Sequence, residues 1–166
     1  MSTKDNLQEA FAGESQANRK YLAFAKKADA DGFPQVAKLF RAAAEAETIH
    51  AHAHFRVLGG VKTTVENLKA AIDGEGHEFR VMYPKFIEEA KAENEKAALA
   101  SFTQANAVEK IHHGLYSVAL AAVAGGKDLP GVPIWLCSVC GNTVEGACPD
   151  KCSVCGVGKD KFAEIK

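Results

Sequence analysis

Gly13-Glu14 followed by Glu47-Thr48-Ile49-His50, and Gly74-Glu75 followed by Glu109-Lys110-Ile111-His112, are one pattern written twice. A lone Glu precedes a Glu-x-Ile-His by 33 residues in the first half and by 34 in the second. A helix advances by about 100° per residue, so a Glu and a His three apart leave one face and can close on a single ion. The repeat predicts a duplicated helix pair, and two such halves facing each other predict a two-metal site.

Working outward, residues from about Asp5 to about Gly125 are rich in Ala, Leu, Glu and Lys, with Pro34 and Pro84 as the only prolines. Helical periodicity is almost unbroken, which predicts four long helices. The first runs to the Gly32-Phe33-Pro34 turn and the second ends at Gly59-Gly60, where glycine permits a left-handed cap. Thr63 or Thr64 caps a short helical stretch to about Ile72. The third long helix spans about Glu75 to Lys91, with Pro84 loosening its ladder near Val81, and the fourth runs from about Glu95 to Ala124.

The buried stripes of these helices carry carboxylates where apolar residues belong. They read Leu7, Phe11, Glu14, Asn18, Tyr21, Ala25 in the first helix and Val36, Phe40, Ala43, Glu47, His50, His54, Val57 in the second. The third reads Leu68, Ile72, Glu75, Phe79, Met82, Phe86 with Glu78 adjoining, and the fourth Phe102, Ala105, Glu109, His112, Tyr116, Ala119, Val123. An unpaired buried carboxylate costs several kcal/mol, so Glu14, Glu47, Glu75, Glu78 and Glu109 on inner faces call for a cation. Oxygen-rich sites with one imidazole per ion suit iron or manganese, and this ligand pattern is that of di-iron carboxylate bundles. His54 lies one turn beyond His50, whereas His52, His77 and His113 point elsewhere and read as surface or packing residues.

All five cysteines fall between Cys137 and Cys155, a distribution that fits a metal knuckle and not disulfides stapling a secreted domain. Cys137-Ser-Val-Cys140-Gly141 and Cys152-Ser-Val-Cys155-Gly156 present four thiolates to one ion, each pair followed by a glycine that turns backbone N–H groups toward sulfur. Spacing leaves iron and zinc both open. Cys148 is left over, as a spare thiol or an alternative to Cys152. The domains expected are a helical bundle over 1–125, a Gly/Pro-rich linker over 126–133, and a metal-dependent domain over 134–166, too short for its own apolar core.

The chain has 166 residues, 47% of them hydrophobic and 25% charged, with 20 basic and 21 acidic residues giving a net charge of −1. The charges are interspersed, which predicts a soluble protein with no nucleic-acid or membrane partner. The N-terminus lacks an apolar leader and no apolar run approaches the roughly 18 residues that span a bilayer, so a cytoplasmic location is expected.

Taken together, these motifs resemble rubrerythrins, in which a ferritin-like di-iron four-helix bundle precedes a rubredoxin-like iron domain; the likeness covers essentially the whole chain. It implies that Glu14, Glu47, His50, Glu75, Glu78, Glu109 and His112 are di-iron ligands, with Glu47 and Glu109 bridging. It further implies that Glu78 exchanges with His50 as one iron changes oxidation state, and that Tyr21 and Tyr83 stand just behind the ligands. Cys137, Cys140, Cys152 and Cys155 match the mononuclear iron ligands, although Cys148 and the absence of a proline in the second knuckle depart from the rubredoxin pattern.

The resemblance implies a peroxidase of oxidative-stress defence that reduces hydrogen peroxide to water, with the sulfur-bound iron relaying electrons. No GxGxxG follows a strand, so electrons are expected from an external donor, a rubredoxin or an NAD(P)H-dependent reductase. A homodimer is implied, with the linker letting the C-terminal domain serve a neighbouring subunit. The competing expectation is a ferroxidase or iron-binding protein whose four-cysteine site holds structural zinc; a weaker third is an electron carrier or oxygen sensor.

Overall fold

The structure, a computed structural model, describes residues 2–166. Its fold class is the one expected: mainly α, followed by a small four-cysteine domain of strands and loops. Two compact units form, one ending at Lys62 and one running from Thr63 to Lys166. The C-terminal sheet therefore belongs to the same compact unit as the helices that follow Lys62.

The first unit is a hairpin of α1 (Thr3–Ala30) and α2 (Pro34–Val57). Ser2 opens α1 with a capping box: its Oγ accepts from the Asp5 backbone N–H, and the Asp5 carboxylate accepts from the Ser2 backbone N–H at 2.7 Å. Gly32, at φ +83°, makes the left-handed turn that lets Pro34 start α2. Ala25 and Ala28 of α1 and Ala37, Ala44 and Ala51 of α2 are buried, so small side chains draw the two backbones together. The stripe expected on α2 is corrected by this packing, because Val36 and Val57 are exposed while the alanine face beside them meets α1. Asn18, buried, pins the hairpin by donating to Ala44 O at 2.7 Å and Thr48 Oγ1 at 2.8 Å.

In the second unit α3 (Thr64–His77), a π-turn (Glu78–Met82) and α4 (Tyr83–Ala92) form one continuous rod. Thr63 is its cap, in a capping box with Glu66, and the break expected between Ile72 and Glu75 does not occur. The π-turn answers Pro84. An α-helix would leave Pro84 without a donor and push its ring against the preceding turn, whereas here the Tyr83 N–H reaches back to Glu78 O and widens the helix ahead of it. The rod packs on α5 (Lys96–Ala124), with Gly76 where a Cβ would lie 3.3 Å from the His113 ring.

The last segment folds as a three-stranded antiparallel sheet of order β2-β1-β3, from β1 (Ile134–Cys137), β2 (Thr143–Glu145) and β3 (Phe162–Ile165). Its buried side chains are Cys137, Asn142 and Cys152, so its core consists of thiols and one amide. No described helix is long and apolar enough to cross a membrane.

Candidate metal centres

Each helical unit gathers one triad. In the first, Glu14, Glu47 and His50 bring ligand atoms within 4.8 Å of one another; in the second, Glu75, Glu109 and His112 do the same. The Glu-x-x-His spacing acts as expected: His50 Nδ1 lies 3.2 Å from Glu47 Oε2, and His112 Nδ1 lies 2.9 Å from Glu109 Oε2. The facing helices add Glu14 Oε2 at 3.9 Å and Glu75 Oε1 at 3.8 Å. These are lone-pair-bearing atoms converging on a point, an arrangement that needs a proton or a cation at its centre.

The electrostatics show the same demand. Burial, then a hydrogen bond with Glu109 and the charges of Glu109 and Glu78, push the Glu75 carboxyl up to about 7. Glu78 is raised by burial and by Glu109. In the first triad Glu14 and Glu47 share a hydrogen bond that raises the former and lowers the latter. Two carboxylates and an imidazole per triad form a hard, oxygen-rich donor set that fits iron or manganese.

Tyr83 is carried to this site by the π-turn. Eight residues past Glu75, it would sit about 80° around an unbroken α-helix; the extra residue in the turn reduces that to about 20°. Burial, Glu109, Glu78 and Glu75 raise its hydroxyl pKa, so the phenol stays protonated beside the carboxylates. Tyr21 packs among Phe24 and Phe40 at 6.2–6.3 Å. His54 is close enough for its charge to act on Glu14 but is not a member of the triad, and His113 packs edge-on against Phe79.

Cys137, Cys140, Cys152 and Cys155 form the third cluster. Their sulfurs pair at 3.7 Å for Cys137–Cys155 and 3.6 Å for Cys140–Cys152, close to the roughly 3.8 Å edge of a tetrahedron with bonds of about 2.3 Å. Burial raises the Cys152 thiol, but backbone N–H groups of Cys155 and Val154 and the Asn142 side chain outweigh it and bring it down to about 6. Burial drives Cys140 the other way, up to about 12. Cys148 lies outside the cluster, its Sγ 3.9 Å from Pro149 O.

Two residues that the sequence motifs do not mark also stand at these sites. Asn142 is buried with Nδ2 3.6 Å from Cys152 Sγ and 3.3 Å from Ser153 Oγ, and Thr143 Oγ1 is 3.0 Å from His112 Nε2. Their one sequence signal is position, directly after the first knuckle's Gly141.

A rubrerythrin family model matches residues 5–120, and a model described as rubrerythrin, rubredoxin-like domain matches residues 135–163. The chain belongs to the rubrerythrin family. It is 37% identical to rubrerythrin-2 of Clostridium acetobutylicum, over 96% of this chain and 95% of that one. It is 36% identical to nigerythrin of Nitratidesulfovibrio vulgaris, over 97% and 85%. Among solved structures, nigerythrin in a partially reduced and in a fully reduced, all-ferrous state each match at a TM-score of 0.60 and 32% identity, over 99% of this chain and 87% of theirs. The two carboxylate–histidine triads and the four-cysteine cluster fit the di-iron and rubredoxin-like sites of that family.

The raised Glu75 carboxyl makes the stability of the metal-free chain depend on pH. Its ordinary value is 4.5, so between about 4.5 and 7 the folded state holds the proton that the unfolded state has released. Stability contributed by the protonated carboxyl is present below that range and is lost as pH rises through about 7. The melting temperature of metal-free protein should fall from pH 5 to pH 8, and Glu75→Gln should flatten that slope; thermal melts of both variants across the range check it.

Proposed function

We propose that this chain is a non-haem di-iron peroxidase that reduces hydrogen peroxide to water, with one iron per triad and a third iron on the four cysteines. An external reductase, a rubredoxin or an NAD(P)H-dependent enzyme, feeds the sulfur site. The observation that carries the reading is the combination, in one chain, of two like Glu/Glu/His triads with a four-cysteine cluster whose own strand β2 touches the ring of His112.

When bound, the irons would supply Lewis acidity and one-electron couples for reducing the O–O bond. The chain's residues do the rest. Glu14, Glu47, Glu75 and Glu109 would provide the negative charge that holds the cations, and the imidazoles of His50 and His112 would complete the donor sets. Reduction of peroxide to two waters consumes two electrons and two protons. Tyr83, kept protonated, offers a hydrogen-bond donor beside the developing negative charge. Glu78 lies in the field of Glu109 and His112 without belonging to the triad, so its carboxylate would be a further oxygen ligand for a cation held there.

Glu78→Ala should therefore slow peroxide turnover at least about tenfold while most bound iron is retained, as measured by stopped-flow turnover beside iron analysis. Unchanged turnover would remove Glu78 from the reaction. The whole reading is tested by reducing iron-loaded protein without air and mixing it separately with hydrogen peroxide and with oxygen, following the iron–thiolate absorption. Faster return of that band with peroxide supports the peroxidase. Faster return with oxygen, or zinc in place of iron on the cysteines, makes the chain a ferroxidase or iron-binding protein instead.

A further inference from the structure

The second triad differs from the first in what stands behind its histidine. His112 turns Nδ1 to Glu109 and Glu75, and its other nitrogen, Nε2, lies 3.0 Å from Thr143 Oγ1. Thr143 begins β2, and its hydroxyl donates to Gly141 O at 3.3 Å, the carbonyl of the glycine that follows Cys140. A carbonyl only accepts, so a hydroxyl committed to it keeps a lone pair for an Nε2–H. In the tautomer that makes this bond, Nδ1 is unprotonated and faces the carboxylates, the form an imidazole needs to hold a metal. His50 has no such support: among the described residues its ring hydrogen-bonds to Glu47 alone, and its side chain is 55% exposed.

The surroundings leave this task to Thr143. A cavity of about 310 Å³ beside His112 is walled mainly by apolar residues such as Leu68, Leu115 and Ile134 with Glu145 at its edge, and among the described residues Thr143 Oγ1 is the group within hydrogen-bond distance of Nε2. The first cysteine knuckle is seated against the same helix, with the Cβ position of Gly141 3.9 Å from Val108 Cγ1. Metal binding by the cysteines would order the loop that carries Gly141 and Thr143, because the fully buried side chains of this domain are Cys137, Cys152 and Asn142.

We propose that Thr143 is a positioning residue that couples the two metal sites of the second unit: a cation held by the four cysteines fixes Thr143, and Thr143 holds His112 in its ligating tautomer. Loading the four-cysteine site then tightens cation binding at Glu75, Glu109 and His112, and by reciprocity a cation there tightens the four-cysteine site. The Glu14, Glu47 and His50 triad receives no such support. The inference rests on the metal-centre part of the proposed function and is independent of which oxidant the protein consumes.

The test uses the full chain with one zinc on the cysteines, titrated with Mn(II) and followed by electron paramagnetic resonance, for the parent, Thr143→Val and Thr143→Ser. Thr143→Val should weaken one Mn(II) equivalent by about tenfold or more and leave the other unchanged, and Thr143→Ser should restore it. In fully zinc-loaded protein the His112 Nε2–H resonance should be visible at neutral pH in the parent and the serine variant and be lost to exchange in the valine variant. Equal Mn(II) affinity in parent and valine variant overturns the proposal, and so does equal weakening by valine and serine, which would mark a packing role. A negative peroxide assay alongside the expected titration would sink the peroxidase and leave the coupling standing.

Discussion

Replacing Cys137 by serine is expected to unfold residues 134–166 and leave the helices in place. The thiol is 1% exposed, sits at the end of the central strand, and pairs across the cluster with Cys155 at 3.7 Å. The other buried side chains of this domain are Asn142 and Cys152, and Asn142 itself donates to Cys152 Sγ. With no aliphatic side chain fully buried beneath it, the sheet is expected to owe its stability to the ion that four thiolates would bind. Structural sites of this kind supply about 10 kcal/mol or more of folding free energy in small domains. Loss of one ligand leaves a hydroxyl that stays protonated and a cluster that no longer closes. Hydrogen exchange should show protection lost across Ile134–Ile165 while α1 and α2 keep theirs, and metal analysis should show one equivalent gone. Cys148→Ser is the control. Its sulfur lies outside the cluster, so that change should move stability by less than about 0.5 kcal/mol. If Cys137→Ser leaves the sheet protected, the metal is not what folds it.

The convergence of the two triads and of the four cysteines was readable because each group obeys a local rule. Glu47 and His50, like Glu109 and His112, are one helical turn apart, and the paired cysteines share a turn, so sequence spacing maps directly onto spatial convergence. Three features were not readable, for different reasons. On α2 the apolar positions form two adjacent stripes, and periodicity does not say that the alanine face of Ala37, Ala44 and Ala51 lies closest to its neighbour. Pro84 signalled a disturbance, but only the backbone shows that it is absorbed as a π-turn, which keeps the rod continuous and brings Tyr83 around to Glu75. Thr143 and His112 meet across 31 residues, through a hydrogen bond that leaves no periodic trace in either segment. Local ligand geometry is written in spacing, whereas the groups that orient the ligands depend on how elements pack.

Glu109→Gln should have two opposite effects on the second triad, and their combination is what marks a metal site. Glu109 Oε2 is 2.9 Å from His112 Nδ1, and its charge and hydrogen bond, after burial, help hold Glu75 up to about 7. The amide is neutral and presents an N–H₂ as readily as a carbonyl, so the donor set loses the charge with which the carboxylate attracts a cation. Residues that merely orient metal ligands change affinity by about 10- to 100-fold, so removal of a charged ligand should weaken binding at this triad by more than about 100-fold. Without metal the sign reverses. The substitution removes the carboxylate whose hydrogen bond and charge, after burial, raise Glu75 and whose charge, after burial, raises Glu78, and so relieves repulsion that a cation would otherwise neutralise. Metal-free Glu109→Gln should melt a few degrees above the metal-free parent at pH 8, a shift that corresponds to about 1 kcal/mol. With Mn(II) present the order should invert, because the parent gains the binding free energy and the variant does not. A surface glutamate would show neither effect, and a carboxylate serving only the fold would lose stability in both conditions, so a variant less stable than the parent without metal would contradict the role assigned to Glu109.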